Sequence, residues 1–377
     1  MSRAPAPALD GRQGRVRELC SSQGLDVLVV TSSPNILYLS NFGGSAGMVV
    51  LTPGRLLLIT DFRYVTAVEA TRGTPTECPG LELVRVDGSY EETLASVLAS
   101  LGVHRIGFEA AHLTVSRFRW IEARLGEAQA LVPTEGLVER ARVIKDAWEL
   151  RTLREAARRL SAVAREAVHE VRAGRGEQEV AAAVDGRIRA AGFERTAFDT
   201  IVAGGPNAAL PHHRPGERRL VEGDLVVLDF GGVYDSYCVD LTRTVAVGRA
   251  APRAREIYGA VREAHDRAIA AVRPGRTRFE VDAAARDTLA GYGLGEAFGH
   301  GTGHGLGIEV HEEPRISRRR TGEPSGPDDR LSVGMVFTIE PGAYLPGWGG
   351  VRIEDDVVVT AEGADVLTDV PTELLET

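Results

Sequence analysis

The chain has 377 residues, with 44 basic and 53 acidic side chains and a formal charge of −9. That length predicts two domains, each able to bury its own core, and the acidic balance argues against nucleic acid as a partner. Cys20, Cys78 and Cys238 are widely spaced and odd in number, which argues against a disulfide framework and for a reducing compartment. No apolar run reaches membrane-spanning length, and residues 1–10 lack the apolar core of a signal peptide. The expected location is the cytoplasm, with no membrane partner.

Taken in chain order, residues 26–31, 47–52 and 55–60 read as short buried strands rich in Val, Leu and Ile. Residues 90–101 read as a helix and 105–108 as a further strand, giving an α/β amino-terminal domain over residues 1–137. A second, α+β domain is expected over residues 138–377. It opens with a long helical pattern at 147–171, where Leu150, Leu153, Ala157, Leu160, Val163 and Ala164 recur at helical spacing. A helix at 177–191 follows, closed by Gly192, and two more are expected at 256–272 and 278–290. Residues 318–330 are charged and rich in Pro and Gly, and predict an exposed loop whose arginines face solvent. Basic residues are almost all arginine; Lys145 is the one lysine.

Two segments of the second domain resemble each other. Val221–Gly232 and Leu331–Gly342 each place a glycine six residues before an acid, Asp229 and Glu340, with an apolar run between. Each segment carries a later acid, Asp240 or Glu354. Acids at the ends of buried strands are costly unless compensated, and a cation is the economical compensation for four of them. Asp229 and Asp240 are symmetric about the Tyr234–Asp235 junction, so a hairpin turning there would set the two aspartates face to face. Glu340 and Glu354 are symmetric about Gly347, with Pro341 interrupting the pairing. Between the segments lies a run holding His300, His304 and His311. Its glycines argue against a helical zinc pair and for close backbone approach, with one histidine as ligand and the others as supporting or substrate contacts.

The segments LDFGGVYDSYCVDLTRT, GHGTGHGLGIEVHEEPRIS, FTIEPGAY and GGVRIEDD together resemble the "pita-bread" metallopeptidases, the family of aminopeptidase P, prolidase, methionine aminopeptidase and creatinase. The resemblance covers essentially the whole chain. It implies a pita-bread catalytic domain with a pseudo-twofold internal repeat, and a dinuclear site held by Asp229, Asp240, His304, Glu340 and Glu354. The cofactor it implies is two divalent metal ions, Mn²⁺ first, with Co²⁺, Fe²⁺ or Zn²⁺ as alternatives that suit an oxygen-rich donor set. It implies amide hydrolysis by a metal-bridged hydroxide, with Glu340 moving the proton. By the same resemblance His212 and His311 are catalytic histidines. His300 walls the proline pocket and Arg315 binds a substrate carboxylate, while Arg352, two residues before Glu354, would alternate onto the same strand face and brace the acids. The segments YLSNFGGSAG and ITDFRY are similar to the amino-terminal domain of aminopeptidase P, although Asn41 and Phe62 stand where glycines are usual. The expected substrate is a peptide with proline in second position, and the expected enzyme an Xaa-Pro aminopeptidase. An Xaa-Pro dipeptidase, a creatinase-like amidohydrolase or a non-catalytic binding protein on the same fold are the alternatives. A homodimer is implied by the resemblance alone.

Overall fold

The structure, a computed structural model, describes residues 3–322 and 326–377. It separates into two compact units, one ending at Arg142 and one spanning Val143–Thr377. Part of the loop expected at 318–330, residues 323–325, lies outside the described residues, as do Met1 and Ser2.

The amino-terminal unit begins with α1 (Ala6–Ser22), β1 (Val27–Val30), α2 (Ser33–Ser40), β2 (Met48–Leu51) and β3 (Leu56–Thr60). It continues through α3 (Phe62–Glu69), β4 (Leu81–Arg85), α4 (Tyr90–Leu101), β5 (Arg105–Glu109), α5 (Val115–Glu122), β6 (Ala130–Thr134) and α6 (Leu137–Val143). The strands form one mixed sheet in the order β4-β3-β2-β1-β5-β6. Every residue of β1, β2 and β3 is buried, which is why they read as unbroken apolar runs rather than as alternation. Leu94 and Leu98 of α4 and Ile121 of α5 pack with Val29, Ile59, Ile106 and Phe108 of the sheet.

The second unit repeats one plan twice. In the first half, α7 (Ala147–Ala167) and α8 (Glu177–Ala190) precede a hairpin of β9 (Leu225–Tyr234) and β10 (Tyr237–Ala246), with β7 (Arg195–Thr196) and β8 (Ile201–Gly204) at its side. In the second half, α9 (Pro252–Ala271) and α10 (Arg278–Gly291) precede β11 (Gly303–Gly305), β12 (Glu312–Ile316), β13 (Val336–Ile339), β14 (Gly342–Leu345), β15 (Gly349–Arg352), β16 (Asp355–Val359) and β17 (Ala364–Val366). Each half buries its helix pair in its own core. Leu153, Leu160, Val180 and Ile188 meet Leu228, Phe230 and Val239, while Val261, Ala264, Val281 and Leu289 meet Phe337, Ile339 and Val357. Reciprocal capping boxes start α7 at Asp146 and Glu149, and α10 at Thr277 and Glu280. Helix α7 stops at Ala167 and tightens into a 3-10 turn over Val168–Glu170, a common ending for a helix. Among the described residues no helix is long and apolar enough to cross a membrane.

The first hairpin corrects the expected register. Its turn is Asp235-Ser236, both with positive φ (45° and 69°), so the last strand pair is Tyr234 with Tyr237. A two-residue turn of this hand fixes the axis between the two turn residues, not before them. Asp229 therefore pairs with Thr242, and Asp240 with Gly231. The two aspartates are diagonal neighbours on one face rather than directly opposed, which leaves room between them. The second hairpin follows the expected register on both sides of Pro341. Ile339 pairs with Asp355 and Gly342 with Arg352, so Glu340 and Glu354 lie across from each other in the gap between the two ladders. A bridge between Thr242 and Glu354 joins the two halves where their acids meet.

Candidate metal centre

Asp229, Asp240, His304, Glu340 and Glu354 line one cavity of about 690 Å³. Ligand atoms of Asp240, His304 and Glu354 lie within 4.8 Å of one another, and His304 Nε2 is 3.5 Å from Glu340 Oε1. The local backbone explains the convergence. Strand β11 lies so close to its neighbours that a Cβ on Gly303 would stand 1.8 Å from Thr338 O, and one on Gly305 2.2 Å from Glu313 O. The glycines around His304 are thus required by packing, and the histidine between them is carried to the floor of the cavity.

The groups behind the cluster orient it. His304 Nδ1 is 3.1 Å from Gly305 O, and a carbonyl only accepts, so the proton sits on Nδ1 and the bare Nε2 faces the carboxylates. Thr242 Oγ1 donates to Glu354 Oε2 at 2.6 Å. The backbone N–H of Asp240 donates to Asp356 at 3.0 Å. Arg352, 4% exposed, is ion-paired with Asp229 and donates to Tyr344 Oη at 2.9 Å. Tyr344 in turn donates to His300 Nε2 at 2.8 Å, because His300 Nδ1 is engaged with Gly301 O at 2.7 Å.

The electrostatics are those of a site built for cations. Burial first, then the charges of Glu354 and Asp229, hold Asp240 well above the usual carboxylate range. Burial and the charges of Glu340 and Asp229 do the same to Glu354. Burial lifts Glu340 to about 7, against the pull of Arg352. Burial and the neighbouring His311 push His304 down to about 3, so its imidazole is neutral. Among the described residues, Asp229 Oδ1 and Asp240 Oδ1 are buried without a hydrogen-bond partner. Four carboxylates and one lone-pair imidazole, with Arg352 ion-paired to Asp229 alone, leave a deficit of positive charge at the cluster. Oxygen-preferring divalent ions would supply it, and the donors present fit them.

The other sequence-predicted site residues reach the same cavity. His212, His300, His311, Arg315 and Arg352 all line it. The rings of His304 and His311 are 4.3 Å apart between centroids. Arg315 is directly opposite His304 in the β11–β12 pairing. Burial and Arg315 lower the affinity of His311 for a proton. Burial and Arg352 lower that of His300, to about 4. Cys238, read as a small strand residue, is a buried free thiol on β10. Sequence reasoning missed Tyr344, Thr242, Thr338 and Asp356. Asp356 stands on β16 two residues after Glu354, which bridges to Thr242 just before that strand, and period-two alternation could have found it. Tyr344 is diagonal to Arg352 across the β14–β15 pairing, a placement that the symmetry about Gly347 already implies. Arg320, expected to face solvent, is exposed but also lines the cavity.

An acid-rich, two-halved site of this geometry defines a metallohydrolase class. The profile of metallopeptidase family M24 matches residues 151–361, and that of the creatinase/prolidase N-terminal domain matches residues 12–144. This chain is a member of metallopeptidase family M24, with the pita-bread fold. It is 34% identical over 365 residues to an Xaa-Pro dipeptidase of Pyrococcus horikoshii, covering 96% of this chain and 97% of that one. A solved Xaa-Pro dipeptidase from Bacillus anthracis superposes with a TM-score of 0.91 and 38% identity, covering 98% of this chain and 100% of that one. The X-Pro aminopeptidase of Thermotoga maritima gives 0.85 and 34%, covering 97% and 99%. The family implies divalent metal ions as cofactor.

Proposed function

We propose that this protein is an Xaa-Pro dipeptidase, with Asp229, Asp240, His304, Glu340 and Glu354 holding two divalent ions, manganese first. The observation that carries the dipeptide reading is the pairing of Arg315 with His304. Directly opposed residues have Cβ atoms roughly 4.5–5.5 Å apart. An arginine borne opposite a metal donor and lining the same cavity suits a free carboxylate one residue beyond the scissile bond, which is where a dipeptide carries it. A tertiary Xaa-Pro amide has no N–H, so such a site must grip the ring and the carboxylate instead. The family names among the relatives point the same way.

When bound, the metal ions polarise the scissile carbonyl and activate water. The chain's own residues do the rest. Arg315 holds the proline carboxylate. His300 and Phe198 wall the ring, and Tyr344 fixes the tautomer of His300. His212 and His311, both exposed to the cavity, donate to the carbonyl oxygen and hold the substrate in line. Glu340 moves a proton to the departing proline nitrogen. The aminopeptidase expected from the amino-terminal motifs is the second reading, favoured by the Thermotoga relative.

The test is hydrolysis of Ala-Pro and Ala-Pro-Ala by metal-stripped protein supplied with Mn²⁺. Cleavage of the dipeptide alone supports the dipeptidase. Cleavage of the tripeptide at the Ala–Pro bond overturns it in favour of the aminopeptidase. The three free, buried cysteines fit a reducing cytoplasm. A homodimer is the proposed assembly, and its mass in solution decides that.

A further inference from the structure

Glu177 has no part in the chemistry above, yet it is a wholly buried carboxylate, 0% exposed, in the first turn of α8. Both of its oxygens are committed to one loop. Oε1 accepts from Gly204 N and from Asn207 Nδ2, each at 2.9 Å. Oε2 accepts from His213 Nε2 at 2.9 Å and from Gly216 N at 3.1 Å. One oxygen therefore holds the start of the loop and the other its end. Between them, residues 211–215 line the cavity, with His212 among them. The imidazole of His213 is spent on Glu177, which leaves its neighbour His212 as the ring offered to the cavity.

A second contact ties the same loop to the metal site, since Arg352 Nη1 donates to Pro211 O at 3.3 Å. The loop also rests on β15 with no space between. A Cβ on Gly350 would stand 2.1 Å from Ala208 O. The loop is thus seated from below by β15 and closed at both ends by a single carboxylate. Four donors on a buried, charged acceptor make a strong and directional clamp.

We propose that Glu177 is a positioning residue for the substrate: through His213 it locks the 204–216 loop and so presets His212 for the peptide. The inference rests on the Xaa-Pro peptidase reading. It makes the first-residue side of the substrate dependent on a helix that never touches it. Without the clamp the loop samples open forms, and ordering it falls to the substrate, which weakens apparent binding by the fraction of closed loop.

The test uses full-length, Mn²⁺-loaded protein and three variants. Glu177→Gln keeps the shape but turns an NH₂ group toward donors at one end of the loop. His213→Ala removes one donor. His213→Gln puts an amide N–H back near the position of the imidazole Nε2. Amide exchange over residues 205–216 should speed about tenfold in the first two, the scale of one lost charge-assisted hydrogen bond, and KM for Ala-Pro should rise by about as much. Expected kcat stays within about threefold, because the bound substrate closes the loop and brings His212 to its wild-type place in the complex. The rise in melting temperature given by Mn²⁺ should be equal in all four proteins, and His213→Gln should recover most of both losses. Unchanged exchange, an unchanged KM, or a kcat collapse with KM intact would each overturn the proposal. His213→Ala carries the test alone should Glu177→Gln fail to fold. If the wild type cleaves no Xaa-Pro bond, the substrate reading fails by itself, and the exchange comparison still decides whether Glu177 holds the loop.

Discussion

Asp240 is 4% exposed, and Oδ1 of its carboxylate meets no donor among the described residues. Such an oxygen is a standing cost that a cation removes. At a Mn²⁺ concentration about a hundred times its dissociation constant, the wild type should gain ~2.7 kcal/mol of stability. Asp240→Asn should lose most of that gain and nearly all activity while keeping its fold by circular dichroism; a full gain in the variant would strike Asp240 from the donor set. The chain's one lysine makes a different kind of statement. Lys145 and Glu312 form a 3.0 Å ion pair with side chains 1% and 7% exposed. Glu312 follows His311 directly, so the pair fixes the root of that histidine. Lys145→Met takes the lysine cation from a buried carboxylate that keeps neutral donors such as Glu309 N–H, and should cost about 3 kcal/mol in urea unfolding. Lys145→Met with Glu312→Gln should restore much of it, and a single variant as stable as wild type would show that the pair is not needed.

Strand β11 shows how an element can place a side chain by lacking its own. With Thr338 O 1.8 Å from the Cβ that Gly303→Ala would add, β11 must leave β13, and His304 with it. The expected outcome is a loss of about 1–3 kcal/mol in unfolding free energy together with weaker Mn²⁺ binding by titration calorimetry. A variant that binds Mn²⁺ as tightly as wild type would overturn the packing argument. Helix α8 supplies a pH-dependent case. Burial alone would raise Glu177, but its bonds from Gly204 N, Asn207, His213 and Gly216 N outweigh burial and hold it below its ordinary 4.5. A depressed acid stabilises the fold fully above its unfolded pKa and loses that contribution as pH falls through the folded value. The gap in urea midpoint between wild type and Glu177→Gln should therefore be constant near neutrality and shrink below about pH 4. A gap that widens in acid would contradict the sign.

These elements also show what could be read before any coordinates. Helix α4 falls on the predicted residues 90–101 because Ser89 and Gly102 punctuate both ends of an apolar pattern. The register of Glu340 with Glu354 was legible from symmetry about Gly347. The register of Asp229 was not, because the turn hand that moves the axis by one residue is a backbone property shared by many dipeptides. Glu177 was hidden for a related reason. Its partners Gly204 and Gly216 lie 27 and 39 residues further along the chain, and no spacing announces that such a loop folds back onto the helix.

At the scale of the whole unit, the first half brings Asp229 and Asp240, and the second brings His304, Glu340 and Glu354. On the proposed ligand set, a cation shared by both would couple them. Metal removal should speed amide exchange in the 225–246 and 336–359 segments together, and a change confined to one half would refute a shared site. The same division sets an order of events during synthesis. A nascent chain that has released only residue 246 offers two of the five proposed donors, and the set is complete only once residue 354 has left the ribosome. Ion selection by the full donor set therefore waits until both hairpins have been made, when the geometry that discriminates between metals can form.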